Sequence, residues 1–481
     1  MIFSGLVAGE AGEMRATLSL LDSLFGFNNK LFINNQNLYL YINVYTLEEK
    51  NEQKYLYLYG IKLIFENEYK TTILNMTKKK PILLAPAGNW QMLNAVIERG
   101  ADAIYFGIQN FNMRAQSESF TVDELDEIVQ LCKSKNIQTN LTLNIILYDN
   151  ELKEVENIIS QAKEKGVDEI ICWDPSVIQL CRKYSMPFCI STQASISNSS
   201  AASFYKDLGA NRIVMARECS LEQVMDVIQN VDIEVETFVH GAMCIAVSGR
   251  CFMSHDLFNR SANRGDCIQP CRREYQVTDE RKDYSMTMGS DYIMSSKDLC
   301  TIDFLDKLID SGISVFKIEG RKRSPEYAAK VTEIYRKAID LHSEGKLDVQ
   351  AKIELNDELN KVFNRGFTSG FYNSQPRGDD FASVEGNASA TKKEYIGDVI
   401  NYYKNTKVAY VLIKGGELNT GDNILIIGKT SGVIELQVSE MIVEDKESTV
   451  AAKGSLVTFP CENLIRPRDK VYLLKSEEAT K

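Results

Sequence analysis

The stretch ILLAPAGNWQMLNAVIERGADAIYF, residues 82–106, sets the pattern on which the fold turns. Its apolar run Ile82–Ala85 reads as a short buried strand, and Ala103–Phe106 as the next. Equivalent runs follow at Gln138–Leu143, Glu169–Cys172, Phe188–Ser191, Arg212–Met215, Glu234–Val239 and Val315–Ile318. Most of the intervals carry amphipathic helix patterns. Thr121 with Glu124 forms a capping box ahead of Leu125, Ile128, Val129 and Cys132 on one face. Ser220 with Gln223 repeats that signal before Val224, Val227 and Ile228, and Ser324-Pro325 opens a helix ending near Gly345. Eight strands alternating with helices predict an α/β fold, a (β/α)8 TIM-like barrel. The alternative is an open doubly wound sheet, but no G-x-G-x-x-G turn follows the first strand to support it.

On either side the pattern changes. Residues 1–75 show no sustained period, and Leu31–Leu47 mixes Asn34, Asn35, Asn37 and Asn43 with Tyr39, Tyr41 and Tyr45. MTKKKPILLAPAGNW from Met76 reads like a natural start, so 1–75 is expected to be an upstream extension outside the chemistry, with a small accessory domain as the alternative. The barrel is expected over 76–345, then a helical and Gly/Asn-rich connector over 346–394. From 395 to 477, short alternating runs separated by Gly415-Gly416, Thr420-Gly421-Asp422 and Gly428 predict a small all-β barrel.

At 481 residues, with 44% apolar and 25% charged residues, the chain has the balance of an ordinary globular protein. A net charge of −11 provides no global attraction to nucleic acid or anionic lipid, so any RNA contact must be local. No apolar run approaches the ~18 residues that span a bilayer. MIFSGLVAGEAGEMR lacks the basic lead-in of a signal peptide, which makes a cytoplasmic protein with reduced thiols and no membrane partner the expectation.

Eleven cysteines then gain weight. About 75 residues separate the seventh and eighth strands, and five of the cysteines lie there or just beyond, in the loop 241–300. The segment reads HGAMCIAVSGRCFMSHDLFNRSANRGDCIQPCRREY, placing six, fifteen and three residues between Cys244, Cys251, Cys267 and Cys271. Four soft thiolates on one loop suit a [4Fe–4S] cluster. A structural zinc is the rival, although the uneven gaps lack the close C-x-x-C pairs of zinc ribbons. Simple burial is the blander reading, and it is assigned to Cys132, Cys172, Cys181, Cys189 and Cys219.

Barrels of this kind place their chemistry where strands end. His240 ends the seventh strand, as an acid–base group or a strand cap. Lys317, Glu319 and Arg321 close the eighth, as an anion site or a structural ion-pair network. Arg217 and Arg114 follow the sixth and second strands and could hold carboxylates. His240, Glu319 and Arg321 are the catalytic candidates, and Arg114, Arg217 and Lys317 the substrate-binding ones. Arg264, Arg272, Arg273, Arg321, Lys322 and Arg323 make the region locally basic, yet 240–330 holds 14 Lys/Arg against 13 Asp/Glu, so phosphate contact is allowed without being required.

LLAPAGNW (83–90), FVHGAMCIAVSGRC (238–251), SANRGDCIQPCR (261–272), FKIEGRKRSPEY (316–327) and NRGFTSGFY (364–372) together resemble peptidase family U32, the collagenase-like proteases. The resemblance runs from about residue 81 to the end. It implies an RNA hydroxylase more than a protease, since relatives make 5-hydroxyuridine at the tRNA wobble position, hydroxylate a 23S rRNA cytidine, or hydroxylate ubiquinone precursors with [4Fe–4S] clusters. The tRNA branch is the most similar, and it implies prephenate as a small dicarboxylate co-substrate, tRNA as partner, and a homo- or hetero-oligomer with another U32 protein as a further option. Cys244, Cys251 and Cys267 match the first three ligand positions of the family, and Cys271 matches the fourth in its Q-P-C form, with Cys300 as the alternative. Two other activities stay open: a peptidase, for which the chain offers neither H-E-x-x-H nor G-x-S-x-G, and a non-catalytic accessory protein whose iron–sulfur or zinc site only stabilises the loop.

Overall fold

The computed structural model describes residues 38–50, 53–65, 80–113, 120–247, 250–275, 294–382 and 386–476. It divides into two units, residues 1–79 and 80–481. In the first, β1 (Leu38–Lys50) and β2 (Gln53–Phe65) pair antiparallel, with Lys50 opposite Gln53. The expectation for 1–75 is a segment without sustained period, and within it the described residues form this one strand pair. The segment lacks alternation, but Tyr, Leu, Ile and Val dominate LYLYINVY and KYLYLYGIKLIF, and such residues favour pleated backbone whatever their period.

The second unit begins with the barrel. Its strands are β3 (Ile82–Ala87), β4 (Ala103–Gly107), β5 (Gln138–Thr142), β6 (Glu169–Cys172), β7 (Phe188–Ile190), β8 (Arg212–Val214) and β9 (Glu234–Ala242), then β10 (Asp298–Cys300) and β11 (Val315–Ile318). β3 to β9 pair in order as parallel neighbours, and β11 closes the ring by pairing in parallel with both β9 and β3. β10 is not a barrel stave. It runs antiparallel to the overhanging end of β9 and parallel to β12 (Phe367–Thr368). The helices are α1 (Trp90–Glu98), α2 (Leu125–Ser134), α3 (Leu152–Lys165), α4 (Pro175–Lys183), α5 (Ser199–Asp207), α6 (Leu221–Asn230), α7 (Met253–Phe258), α8 (Leu305–Asp310), α9 (Pro325–Ser343) and α10 (Val349–Asn360).

Local chemistry explains where helices start. Asn89 accepts from Met92 N at 2.9 Å, Ser220 from Gln223 N at 3.3 Å, and the Thr121 N–H donates to Glu124 at 2.8 Å, so orphan amides are satisfied at each end. Two apolar layers result. Outward-facing strand residues such as Leu83, Ile104 and Phe316 pack under the helices, while Leu84, Tyr105, Ile171, Val214 and Phe238 fill the interior.

The interior also carries charge. Arg212 lies 3.2 Å from Glu169 and 3.5 Å from Glu236, and Glu236 lies 2.7 Å from the Lys317 ammonium. Burial outweighs the pull of Arg212 and lifts the Glu169 carboxyl to about 7.

The C-terminal region is mostly antiparallel sheet, with eight strands from Thr391–Tyr403 to Lys470–Ser476 in one sheet around its own core. It seats on α1 and α9. Ala95, Ala329, Leu425, Ile427 and Val433 form the joint, and Asn94 donates to the Lys429 carbonyl at 2.9 Å. Among the described residues no helix is long and apolar enough to cross a membrane.

Candidate functional site

The site sits where the strands end. β9 overshoots the ring at Gly241, whose φ of +110° and the approach of the Glu319 carbonyl to within 2.5 Å of any Cβ leave room for glycine alone. The chain then crosses the barrel mouth. Arg264 pins it down with bonds of 2.6 and 2.8 Å to Glu151 and of 2.7 Å to the Ile146 carbonyl, a bidentate grip that sets position as well as energy. Arg272 anchors the far end on the Met243 and Ser296 carbonyls and, at 3.1 Å, on Ser295 Oγ.

Between the excursion and the barrel mouth lies a cavity with about 880 Å³ of space, open to solvent on one side. Cys244, Cys251, Cys267 and Cys271 all line it, in the company of Ile245, Ala246, Val247 and Ala262. None of the four is in a disulfide. Burial raises the Cys271 thiol; Arg272 opposes this, and Cys244, Cys267 and Cys251 add to it. Among the described residues no three His, Cys, Asp or Glu side chains close into a ligation shell. The donor set itself is soft, accessible and otherwise apolar in its surroundings, which is the chemistry an iron–sulfur cluster or zinc ion needs from a protein.

Opposite the thiols the wall is polar. Arg217 donates to Cys244 Sγ at 3.9 Å, lies 3.7 Å from Glu319 and rests on the Phe238 ring at 3.9 Å. Its Nε is buried without a hydrogen-bond partner. Arg321 is buried and donates to Asn112 at 3.0 Å and Thr142 at 2.8 Å. Asn144, Ser191 and Gln193 form a bonded cluster on the neighbouring strand ends, with Asn144 donating to Ser191 at 3.2 Å.

Several expected residues are placed elsewhere. His240 is 1% exposed and lies outside the cavity, against Tyr327, Tyr335 and Phe367. The β9–β11 register slips between Lys317 and Ile318, so the bulge turns His240 away from the interior that Glu236 and Phe238 face. Burial drops its basicity to about 3, which removes it as an acid–base group near neutrality. Lys317 touches the cavity, but its ammonium is bonded to Glu236 at 2.7 Å, so the ion-pair reading of that residue prevails over substrate binding. Cys300 lies in the outer core beside Tyr335 and Asn356, away from the other thiols. Arg114 falls outside the described residues.

The neutral set Asn112, Thr142, Asn144, Ser191 and Gln193 was not anticipated. Its signal was available in part: Ser191 is a polar residue directly after the apolar strand Phe188–Ile190, and Thr142 is the last residue of β5, at strand ends where such barrels place their chemistry.

A family model described as peptidase family U32 matches residues 88–381. An uncharacterized protease of Methanocaldococcus jannaschii is 40% identical over 82% of this chain and 98% of its own length. A collagenase of Porphyromonas gingivalis is 37% identical over 82% of this chain and 98% of its own. A Bacillus subtilis protein named tRNA hydroxylation protein P1 is 34% identical over 83% and 97%. With fold, cavity and these matches in agreement, the chain belongs to peptidase family U32.

Proposed function

We propose that this chain is an RNA-hydroxylating enzyme that converts a tRNA wobble uridine to 5-hydroxyuridine, with prephenate as co-substrate and a [4Fe–4S] cluster on Cys244, Cys251, Cys267 and Cys271. The observation that carries the reading is that all four of those cysteines line a single solvent-open cavity at the barrel mouth. A relative over nearly the whole matched length is named for tRNA hydroxylation. Replacing C5–H of a uracil by C5–OH takes two electrons from the base and adds an oxygen atom, which no amino-acid side chain does; a bound cluster would relay the electrons, and an external acceptor and oxygen donor complete the balance.

The protein's own groups have definable parts in this scheme. Arg217 steadies the thiol of Cys244 and has a buried Nε that a carboxylate of a small dicarboxylic acid would satisfy. Arg321, fixed by Asn112 and Thr142, presents a second guanidinium to the same cavity. Glu319 is the titratable carboxylate within it that is placed to take up a proton.

Proteolysis, which other relatives' names suggest, is disfavoured by the same geometry. Ser191 and Thr192 line the cavity, but none of the chain's three histidines does, so a hydroxyl nucleophile there lacks its usual base. Anaerobically purified protein should be brown and contain iron and sulfide, and serine at any of the four cysteines should abolish both. Mass spectrometry of tRNA from cells lacking the gene should show wobble 5-hydroxyuridine lost; unchanged tRNA refutes the proposal.

A further inference from the structure

The geometry points to a stacking platform for single-stranded RNA on the rim of the cavity, holding the nucleotides that flank the one admitted. This rests on the proposed function in taking RNA as the ligand and goes beyond it in naming the surface. The excursion leaves Phe252 72% exposed and Phe258 partly so, and the neighbouring loop after β5 leaves Tyr148 57% exposed. Large rings held in water beside an open cavity mark a binding surface.

Guanidinium groups lie against two of these rings and a nearby indole. Arg273 lies over Phe258 at 4.7 Å, Arg264 over Tyr148 at 4.4 Å, and Arg250 faces Trp173 at 6.0 Å. From 244 to 275 five arginines, at 250, 260, 264, 272 and 273, stand against Asp256, Asp266 and Glu274, a local excess in a chain of net charge −11. Asp266 and Glu151 take up Arg260 and Arg264. Arg272 bonds to neutral oxygens and Arg250 to the Gln193 carbonyl, and among the described residues no carboxylate pairs with either of them or with Arg273. Ile245, Val247 and Leu257 are exposed on the same excursion. Rings from three separate loops are spaced among them by cations, which suits the bases and phosphates of a single strand.

The test uses the full chain and an unmodified anticodon stem-loop transcript in fluorescence anisotropy, with the same stem as a closed duplex for comparison. Phe252→Ala and Arg273→Ala should each weaken loop binding roughly tenfold, the scale of a lost stacking contact. The salt dependence should separate the two, with the log–log slope falling by about 0.7 for Arg273→Ala and holding for Phe252→Ala. Val349→Ser, an equally exposed apolar position on α10, should change neither.

Unaltered affinity in both rim variants overturns the inference, and so does equal affinity for the closed duplex. Self-association of the wild type that Phe252→Ala abolishes also overturns it, by giving the surface to a second copy of the chain. The outcome separates from that of the proposed reaction. Loop binding that depends on these residues, with tRNA hydroxylation unchanged on gene loss, sinks the reaction and leaves the platform. Hydroxylation lost with the gene but binding indifferent to both substitutions sinks the platform and leaves the reaction.

Discussion

Arg217 donates from Nη1 to the sulfur of Cys244 across 3.9 Å, and its other terminal nitrogen sits 3.7 Å from Glu319. One cation thus bridges the thiol wall and the carboxylate of the cavity. Arg217→Ala should reduce the proposed RNA hydroxylation by at least about tenfold, the scale of one lost charged hydrogen bond. Arg217→Lys should recover little, because an ammonium cannot serve three directions from a planar fork. Turnover of both variants, with circular dichroism to verify the fold, checks this.

His240 makes a prediction about pH. In the unfolded chain it binds a proton below its ordinary value of 6.5, and in the folded chain only near 3. Between those values the unfolded state holds more protons, so stability falls as the pH drops through this window and is untouched above it. Urea titrations of wild type and His240→Phe at several pH values should show a shallower acid-side loss in the variant. The activity profile of the wild type should carry no inflection from this residue.

Lys317 should behave as a structural residue. Lys317→Met leaves Glu236 buried without its 2.7 Å partner and should destabilise by about 3–5 kcal/mol. Adding Glu236→Gln should restore part of the loss, since the buried carboxylate, left with Arg212 at 3.5 Å as its remaining cation, is then gone. Equal stability of the single and double variants would argue against the network.

Gly432 governs the joint between barrel and C-terminal sheet. Its φ is +64° and a Cβ there would lie 3.0 Å from the Ala95 amide. Gly432→Val should strain both backbone and contact and lower stability by about 1–3 kcal/mol. Thermal unfolding should reveal the loss, with the C-terminal sheet becoming more sensitive to protease.

The barrel was legible because its periodicity is local. Most strands are short, largely apolar runs, and Thr121, Ser220 and Ser324 mark where helices begin. The clustering of Cys244, Cys251, Cys267 and Cys271 could be suspected from density along the chain. The direction of His240 could not. Counted by twos from Glu236 and Phe238 it belongs to the interior, and one bulge reverses that parity without leaving a mark in composition. Pairing of Lys317 with Glu236 and of Arg321 with Asn112 joins residues 81 and 209 positions apart, so it depends on closure of the ring. Ser191 and Gln193 look like ordinary loop residues until the strands are lined up side by side.

The overhang of β9 has one last implication. Ala242 faces Asp298, Gly241 faces Leu299 and His240 faces Cys300, so both feet of the thiol-bearing excursion stand on adjoining rungs. Main-chain bonds therefore settle the entropy of closing that long loop, with no help needed from any guest among the sulfurs. For the proposed cluster this means that the polypeptide would finish folding first and be loaded afterwards, so that maturation would be a late event, separate from the shaping of the scaffold.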